Sequence, residues 1–425
     1  MPARLWKCVI LMTVLMTVMV TGTSGMLMPS YAQVKEQMPT FDLDRIIDLA
    51  LERNPAILGA QSVIEQNEGR RTEAGAYPNP TIGAQTANAA IRDPSNGVRF
   101  YEYGVTVHQP VEWPGMRAAR QDAAASGLAG ATVGLEETKL NLIAEVKQAF
   151  YELLLAERTV DLLQQNLEIV QEVARIVRAR VRSGEGPQFE AVKADVEVLK
   201  AKQEMTKAKN AVRVKLVGLD TLTAGALGPR YKVEGDFRSL RDRLDPEQMA
   251  ARDLSQHPIL KRQGKLVEQA EFTVDKERQG RVPNVTLFGG YAREVGREAV
   301  VAGVSLPTPL WYRQQGHIAT ALGTQRKEEA ELIRARNDLA RAINQHAREA
   351  ETAQEQILVY EEGLLKQAQE ALRIAQLSFR QGASSLLDVL DAQRVQRQIT
   401  VDYNLARFEL SLALTRFERA VGGPL

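Results

Sequence analysis

The sequence predicts a mainly α-helical fold with a small β part, and three observations carry that expectation. Apolar residues keep the alternating four-three spacing of a coiled-coil seam over stretches far longer than a globular helix. Shorter runs alternate between turn signals, as half-buried strands do. The arrangement also occurs twice. Pro110 to Gly184 and Pro309 to Gly382 enclose helices of nearly equal length, which predicts a duplicated, pseudo-symmetric chain. Only 5% of the 425 residues are aromatic while 25% are charged, a balance that suits long exposed helices better than one thick core. A formal charge of +1 gives nucleic acid no basic surface to bind. Gly-rich phosphate loops and zinc-type Cys/His spacings are absent from the sequence.

Residues 1–32 read as a cleaved signal peptide. Arg4 and Lys7 form its positive end, Val9 to Val20 its apolar centre, and Ser30-Tyr31-Ala32 its small-residue cleavage site. Twelve apolar-rich residues are too few to span a bilayer comfortably. Cleavage takes the formal charge from +1 to −1 and removes Cys8, the only cysteine. Beyond the leader no apolar run of about 18 residues follows, so passage through a membrane would have to use β-strands.

The first structural repeat is expected over 33–217. It opens with a helix from Leu43 to Gln66 that carries Arg53-Asn54-Pro55, and the Tyr77-Pro78-Asn79-Pro80 turn follows. Two β-like runs come next, 81–90 and 100–108, and the second sets Tyr101, Tyr103, Val105 and Val107 on one side. Arg92 to Gly97 is the expected hairpin loop and Gln109-Pro110 the expected junction to a long helix. That helix, from about Met116 to Val181, has a seam running Leu142, Val146, Ala149, Leu153, Ala156, Val160 and on to Val181. At 1.5 Å per residue its length is about 100 Å, which demands partner helices along the whole rod. Gly184 suits the left-handed position that ends a helix, and Pro187 the first position of the next one.

An irregular linker, 218–245, holds Gly225, Gly228, Pro229 and Gly235 and joins the copies, expected to gird the helices. The second repeat, 246–425, restates the plan. A helix from Pro246 to Gln269 contains Gln256-His257-Pro258, and Arg281-Val282-Pro283-Asn284 marks the turn. The runs 284–291 and 299–306 alternate, with Arg293 to Arg297 as their loop and Thr308-Pro309 as the next junction. A long helix ends at Arg380-Gln381-Gly382, and Ser385 with Asp388 resembles a capping box. The last helix carries two seams: Ile399, Tyr403, Ala406, Leu410, Ala413, Phe417 and Ala420, and beside it Val401, Leu405, Phe408 and Leu412. Two seams require two neighbouring helices, as in the wall of a tube. Four strands cannot close a barrel, so a membrane barrel would need several chains. On pattern alone a solvent-facing hairpin and a fibrous coiled coil remain alternatives.

Over nearly its whole mature length the chain resembles the TolC-like outer-membrane efflux proteins. The residues that carry the resemblance are Asn54-Pro55, the Tyr77-Pro78-Asn79-Pro80 turn, Gly303-Val304-Ser305-Leu306-Pro307 and the tip from Gly382 to Gln393. The stretch Gln109 to Arg120, containing Trp113-Pro114-Gly115-Met116, is similar to the divalent-metal branch, the CzcC/CusC-like proteins. The resemblance implies a homotrimer whose chains each give four strands to one twelve-stranded transmembrane β-barrel in outer-membrane lipid. Twelve helical rows would continue it as a periplasmic α-barrel tunnel. It further implies docking through the hairpin tips onto a periplasmic adaptor bound to an inner-membrane pump of the RND type. Such a protein is no enzyme and holds no cofactor.

The candidate functional residues lie at the tips. Asp388 and Asp391, at i and i+3, share a helix face near its N-terminus. Alone they would simply complement the helix dipole. In the resembled family the matching acids line the periplasmic aperture, where three chains would gather six carboxylates, raise some of their pKa values and favour cations. Glu190 is the first-copy counterpart of Asp388, and Lys193 stands where Asp391 does. The adaptor contacts are expected in 183–189 and 381–387: Ser183, Gly184, Gly186, Pro187, Gln381, Gly382, Ala383, Ser384, Ser385 and Leu386. Plain helix reversal would use the same residues. Ser384 occupies the place where some family members carry a latch arginine. Tyr101, Tyr103, Tyr291, Trp113, Trp311 and Tyr312 are candidates for membrane-interface belts or junction packing. The four histidines and the scattered methionines show no ligand spacing, so no metal site is assigned. The competing reading is a periplasmic structural or adhesin-like coiled coil without a channel. An enzyme finds no catalytic constellation here.

Overall fold

The computed structural model describes residues 38–90, 99–239, 254–294 and 297–424. Its first departure from expectation is at Asn54-Pro55. The opening helix is two helices, α1 (Leu43–Arg53) and α2 (Pro55–Gly75). Proline has no N–H to continue α1. Asn54 takes an extended conformation between the two and caps α2, its Oδ1 accepting from the Ala56 amide at 2.8 Å. The matching helix of the second half, α5 (Pro258–Gln279), starts at Pro258, while the expected start at Pro246 lies outside the described residues. His257 caps it in the same way, Nδ1 accepting from Ile259 N at 3.2 Å.

The β part is one antiparallel sheet in the order β2 (Thr81–Ala90), β3 (Arg99–Val111), β5 (Val285–Glu294), β6 (Arg297–Ser305). A two-residue parallel pair, β1 (Thr40–Phe41) with β4 (Lys232–Val233), ties the linker to the start of the chain. Gln109-Pro110 is no junction. β3 runs through it to Val111, and Pro110 lies opposite Thr286. β2 ends at Thr81 opposite His108, so Pro110 sits where β3 is paired on one edge only, a place that tolerates proline. Arg293 and Arg297 are strand residues too, leaving only 295–296 outside the described residues. The other expected loop, Arg92 to Gly97, also lies outside them.

Helix α3 (Pro114–Arg182) is a single run of 69 residues, about 100 Å long. Of its seam, Leu142, Val146, Leu153, Val170, Ala174 and Val177 are buried. Ala149, Ala156, Val160, Leu163, Leu167 and Val181 are only half-buried. Helix α4 (Gln188–Leu222) continues through Gly218, so the irregular stretch begins at Thr223. The long helix of the second half is interrupted. It comprises α6 (Gln315–Val359), a π turn over Tyr360–Leu364, and α7 (Leu365–Arg380). Helix α8 (Leu386–Val421) closes the chain.

Two short helices extend two long ones. Asn54 Nδ2 donates to the carbonyl of Leu222, the last residue of α4, at 2.8 Å. His257 Nε2 lies 3.1 Å from the carbonyl of Arg419 near the end of α8. Both short helices and both long ones lie along α3 or α6. Each chain therefore presents four helical rows: α3, α6–α7, α4 with α2, and α8 with α5. The stretch from Thr223 onward crosses these rows. Leu227, Tyr231 and Phe237 bury themselves among Ile46, Leu142 and Phe150. Asp236 binds Arg407 of α8 at 2.9 Å and lies 3.7 Å from Arg158 of α3.

The sheet meets the helices through the Trp113 to Arg120 motif. Arg120 grips both oxygens of Glu112, at 2.5 and 2.9 Å, and donates to the carbonyls of Ala74 and Ala76 at the C-terminus of α2. Arg117 stacks on Tyr77 at 4.0 Å and donates to Gly75 O. These cations satisfy the unpaired carbonyls at the end of a helix and complement its dipole. The turn from α2 into β2 is thereby fixed by α3.

Candidate functional site at the hairpin tips

Two helical hairpins, α3–α4 and α7–α8, turn at the end of the chain remote from the sheet. Gly184 and Gly382 take φ of +81° and +77°, the left-handed region that favours glycine. Each turn closes with a backbone bond to the residue five earlier: Glu185 N to Arg180 O at 2.9 Å, and Ala383 N to Ser378 O at 2.8 Å. The tips share one core, in which Val173, Val177 and Ala194 of the first hairpin meet Phe379, Leu386 and Val389 of the second. Arg180 reaches across, its guanidinium 5.2 Å from the Phe379 ring centroid.

The structure separates the predicted tip residues into exposed and buried sets. Ser183, Gly184, Pro187, Gln381, Gly382, Ala383 and Ser385 are exposed, while Gly186 and Ser384 are half-buried. Leu386 is only 3% exposed and belongs to the shared core. The accessible apolar groups are its neighbour Leu387, 60% exposed, and the first-tip equivalent Phe189, 72% exposed. Pro187 is the cap residue of α4 and not its first helical residue, and it offers no side-chain cap. Ser384 donates weakly to Ala375 O at 3.4 Å.

Asp388 completes the capping box that the sequence foreshadows. Its carboxylate accepts from the Ser385 amide and hydroxyl, each at 2.8 Å, while its own amide lies 3.3 Å from Ser385 Oγ. These bonds, the backbone one first, hold its pKa below the usual aspartate range. Within one chain the shift is therefore opposite to the rise expected from crowded carboxylates. Asp391 is exposed and faces Arg394 at 3.9 Å. Glu190 is half-buried in the first turn of α4. No hydrogen bond or ion pair among the described residues joins these three acids.

Behind the tips, Gln393 of α8 and Asn166 of α3 are both buried and hydrogen-bonded to each other. Arg397 binds Glu204 of α4 at 2.8 Å. Neither contact is legible in the sequence, because the partners lie far apart along the chain. Among the described residues no cluster of His, Cys, Asp and Glu is arranged to hold a metal, and no helix is long and apolar enough to cross a membrane.

The described residues thus form paired long hairpins with glycine tips and, at the far end, a four-stranded sheet whose two outer strands have no further partner among them. The chain belongs to the outer membrane efflux protein family, whose profile matches residues 46–225 and 251–423. Members of this family are channel proteins and not enzymes. The chain is similar to the cobalt-zinc-cadmium resistance protein CzcC of Cupriavidus metallidurans, with 25% identity over 404 residues, covering 95% of this chain and 94% of that one. It is also similar to the pyoverdine export outer membrane protein OpmQ of Pseudomonas putida, with 23% identity over 412 residues, covering 90% and 86%. Among solved structures, that of CusC superposes with a TM-score of 0.75 at 15% identity, covering 90% of this chain and 92% of that one. The fold and the outer-membrane assignment thus agree with the expectation drawn from the sequence.

Proposed function

We propose that this protein is the outer-membrane channel of a tripartite export system, and that three copies build it. The observation that carries the proposal is a pair of unpartnered lateral edges on one chain. Among the described residues, β2 and β6 each keep one edge of the sheet open. On the helical part, Leu199, Val214 and Val217 of α4 are exposed at one side, and Ile333 and Val359 of α6 with Ile374 of α7 at the other. Such apolar faces are a liability in water unless a neighbouring copy covers them. Closure of a ring removes both the open strand edges and the bare helix faces.

The sheet suits lipid on one side only. Ile82, Tyr101, Val105, Val107, Val300 and Val304 share an exposed face, while the opposite face carries Thr106, His108, Gly290, Gly303 and Ser305. Alternation of apolar-out and small or polar-in is the pattern of a transmembrane barrel. From Tyr103 to Trp113 the chain extends about 33 Å, which at the usual strand tilt spans about 25 Å of membrane normal. Tyr103 and Tyr291 would then mark one interface and Trp113, Trp311 and Tyr312 the other.

The tips would receive a periplasmic adaptor through Phe189 and Leu387, with an RND-type inner-membrane pump behind it supplying the energy. Heavy-metal cations are the proposed cargo, supported by the similarity to CzcC and by the acidic side chains Asp388, Asp391 and Glu190 beside the tip turns. The 1–32 leader would direct export and be removed. Planar bilayers and native mass measurement in detergent test the core of the reading. It requires a three-chain particle and ionic current; a folded single chain, or a trimer without current, refutes it. Deleting the gene should sensitise its host to cobalt, zinc or cadmium salts, and unchanged tolerance would remove the cargo assignment alone. Exchanging Asp388 and Asp391 together for Asn should weaken cation preference; unchanged selectivity would leave Asp388 its capping role and Asp391 its contact with Arg394 only.

A further inference from the structure

Thr81, His108, Phe288 and Gly303 form one cross-strand row on the small-residue face of the sheet. The Phe288 ring lies down along this row. A Cβ placed on Gly303 would meet Phe288 Cζ at 2.5 Å and Cε1 at 2.9 Å, so the ring covers the glycine itself. On its other side the His108 ring stacks against Phe288, with centroids 5.6 Å and planes 24° apart. His108 Nε2 is in turn 3.1 Å from Thr106 Oγ1. One row further along, the absent side chain of Gly290 leaves room for the Val105 carbonyl and the Thr106 backbone. The neighbouring strand therefore leans over this face and makes it concave. Gly104 on the same face is buried, whereas Tyr101 and Val105 on the other are exposed.

We propose that Gly303 sets the clear width of the pore where the helical conduit meets the sheet, by giving the Phe288 ring a berth flat against the wall. The inference rests on the reading that this concave face lines the channel. Any side chain at 303 has to move the ring. His108 closes the side toward β3 and the sheet backbone lies beneath, so the ring swings off the wall and into the lumen. Three chains would do so at one level. A glycine inside a strand otherwise weakens it, and an aromatic lying across it replaces the lost packing.

The test compares four forms of the full-length protein in planar bilayers: unaltered, Gly303→Val, Phe288→Ala, and the two changes together. The readouts are single-channel conductance and the largest neutral polyethylene glycol that enters from the sheet side, which senses narrowing there even when the tips limit the current. Gly303→Val should exclude polymers that the unaltered channel admits and should conduct less. Phe288→Ala alone should admit the same polymers or larger ones, and should restore the double variant. A Gly303→Val channel with the unaltered cut-off, or a double variant as narrow as the single one, overturns the proposal. If Gly303→Val does not assemble, Gly303→Ala carries the same expectation, because its Cβ already collides with the ring. If the unaltered protein carries no current, the pore reading is what fails. A density map of Gly303→Ala then decides the berth, and a ring still flat on residue 303 rules it out.

Discussion

One imidazole holds the joint between α5 and α8, and its chemistry makes that joint sensitive to acid. His257 is 3% exposed and accepts through Nδ1, so its single proton sits on Nε2 and is donated to Arg419 O. Burial pushes its pKa below the usual histidine range; the hydrogen bond to Arg419 O and the Glu137 charge oppose the shift, and the Arg419 charge adds to it. The unfolded chain therefore binds the proton more tightly than the folded one. The stabilisation is whole above about pH 6.5 and fades as pH falls from there through the lower folded value. Asn54 does the same two jobs in the first half with a group that does not titrate. His257→Asn should accordingly keep the joint and flatten the loss of melting temperature between about pH 7.5 and pH 5.5; a melting curve as pH-dependent as the native one would contradict this. Asn54→Ala should lower stability by about 1–2 kcal/mol, as lost caps do. The Asn-Pro and His-Pro pairs are visible as counterparts in the sequence. Their second bond is not, because each carbonyl that receives it lies more than 150 residues away along the chain.

Among the elements, the helices and strands were legible where periodicity is strong, and their limits were misread where tertiary contacts decide them. The alternation of Tyr101, Tyr103, Val105 and Val107 appears as one exposed face, as the pattern requires. Proline punctuation misled twice, since Asn54-Pro55 splits a helix that reads as continuous and Gln109-Pro110 does not end its strand. The π turn at Tyr360–Leu364 had no signal beyond Gly363. It places Glu361 to accept from the Tyr403 hydroxyl at 2.9 Å. The motif around Trp113, similar to metal-efflux proteins, is here a coupling between sheet and helix. Glu112 has a side chain only 4% exposed beside Arg120. Arg120→Ala strands that carboxylate and two carbonyls of α2, at a cost of about 2–4 kcal/mol. Adding Glu112→Gln should recover part of it. Thermal unfolding of the two variants measures both changes, and equal stability of Arg120→Ala and the native chain would dismiss the coupling.

At the scale of the molecule, the duplicated plan and the need for partner helices were readable from the seams. Which seams meet within one chain was not. Ala406, Leu410, Ala413 and Phe417 pack on α6, as one seam should. In the second, Phe408 turns inward toward α1 and α3, while Val401 and Leu405 stay exposed. A seam states that a neighbour exists, and only the folded chain shows whether it is already present. The outer face of α4 gives the matching prediction: Leu199→Asp with Val217→Asp should leave helical circular dichroism intact and reduce the particle to single chains in sedimentation. Persistence of the large particle would place the contact elsewhere. The two end-on joints have a mechanical consequence as well. Of the four rows, only α3 and α6–α7 are covalently continuous from sheet to tips, whereas the other two are spliced through an amide and an imidazole. A pull along the long axis would load the unbroken rods and part the splices first. A stretched wall should therefore yield at mid-height, where the cross-binding stretch from Thr223 runs, before its tips unravel.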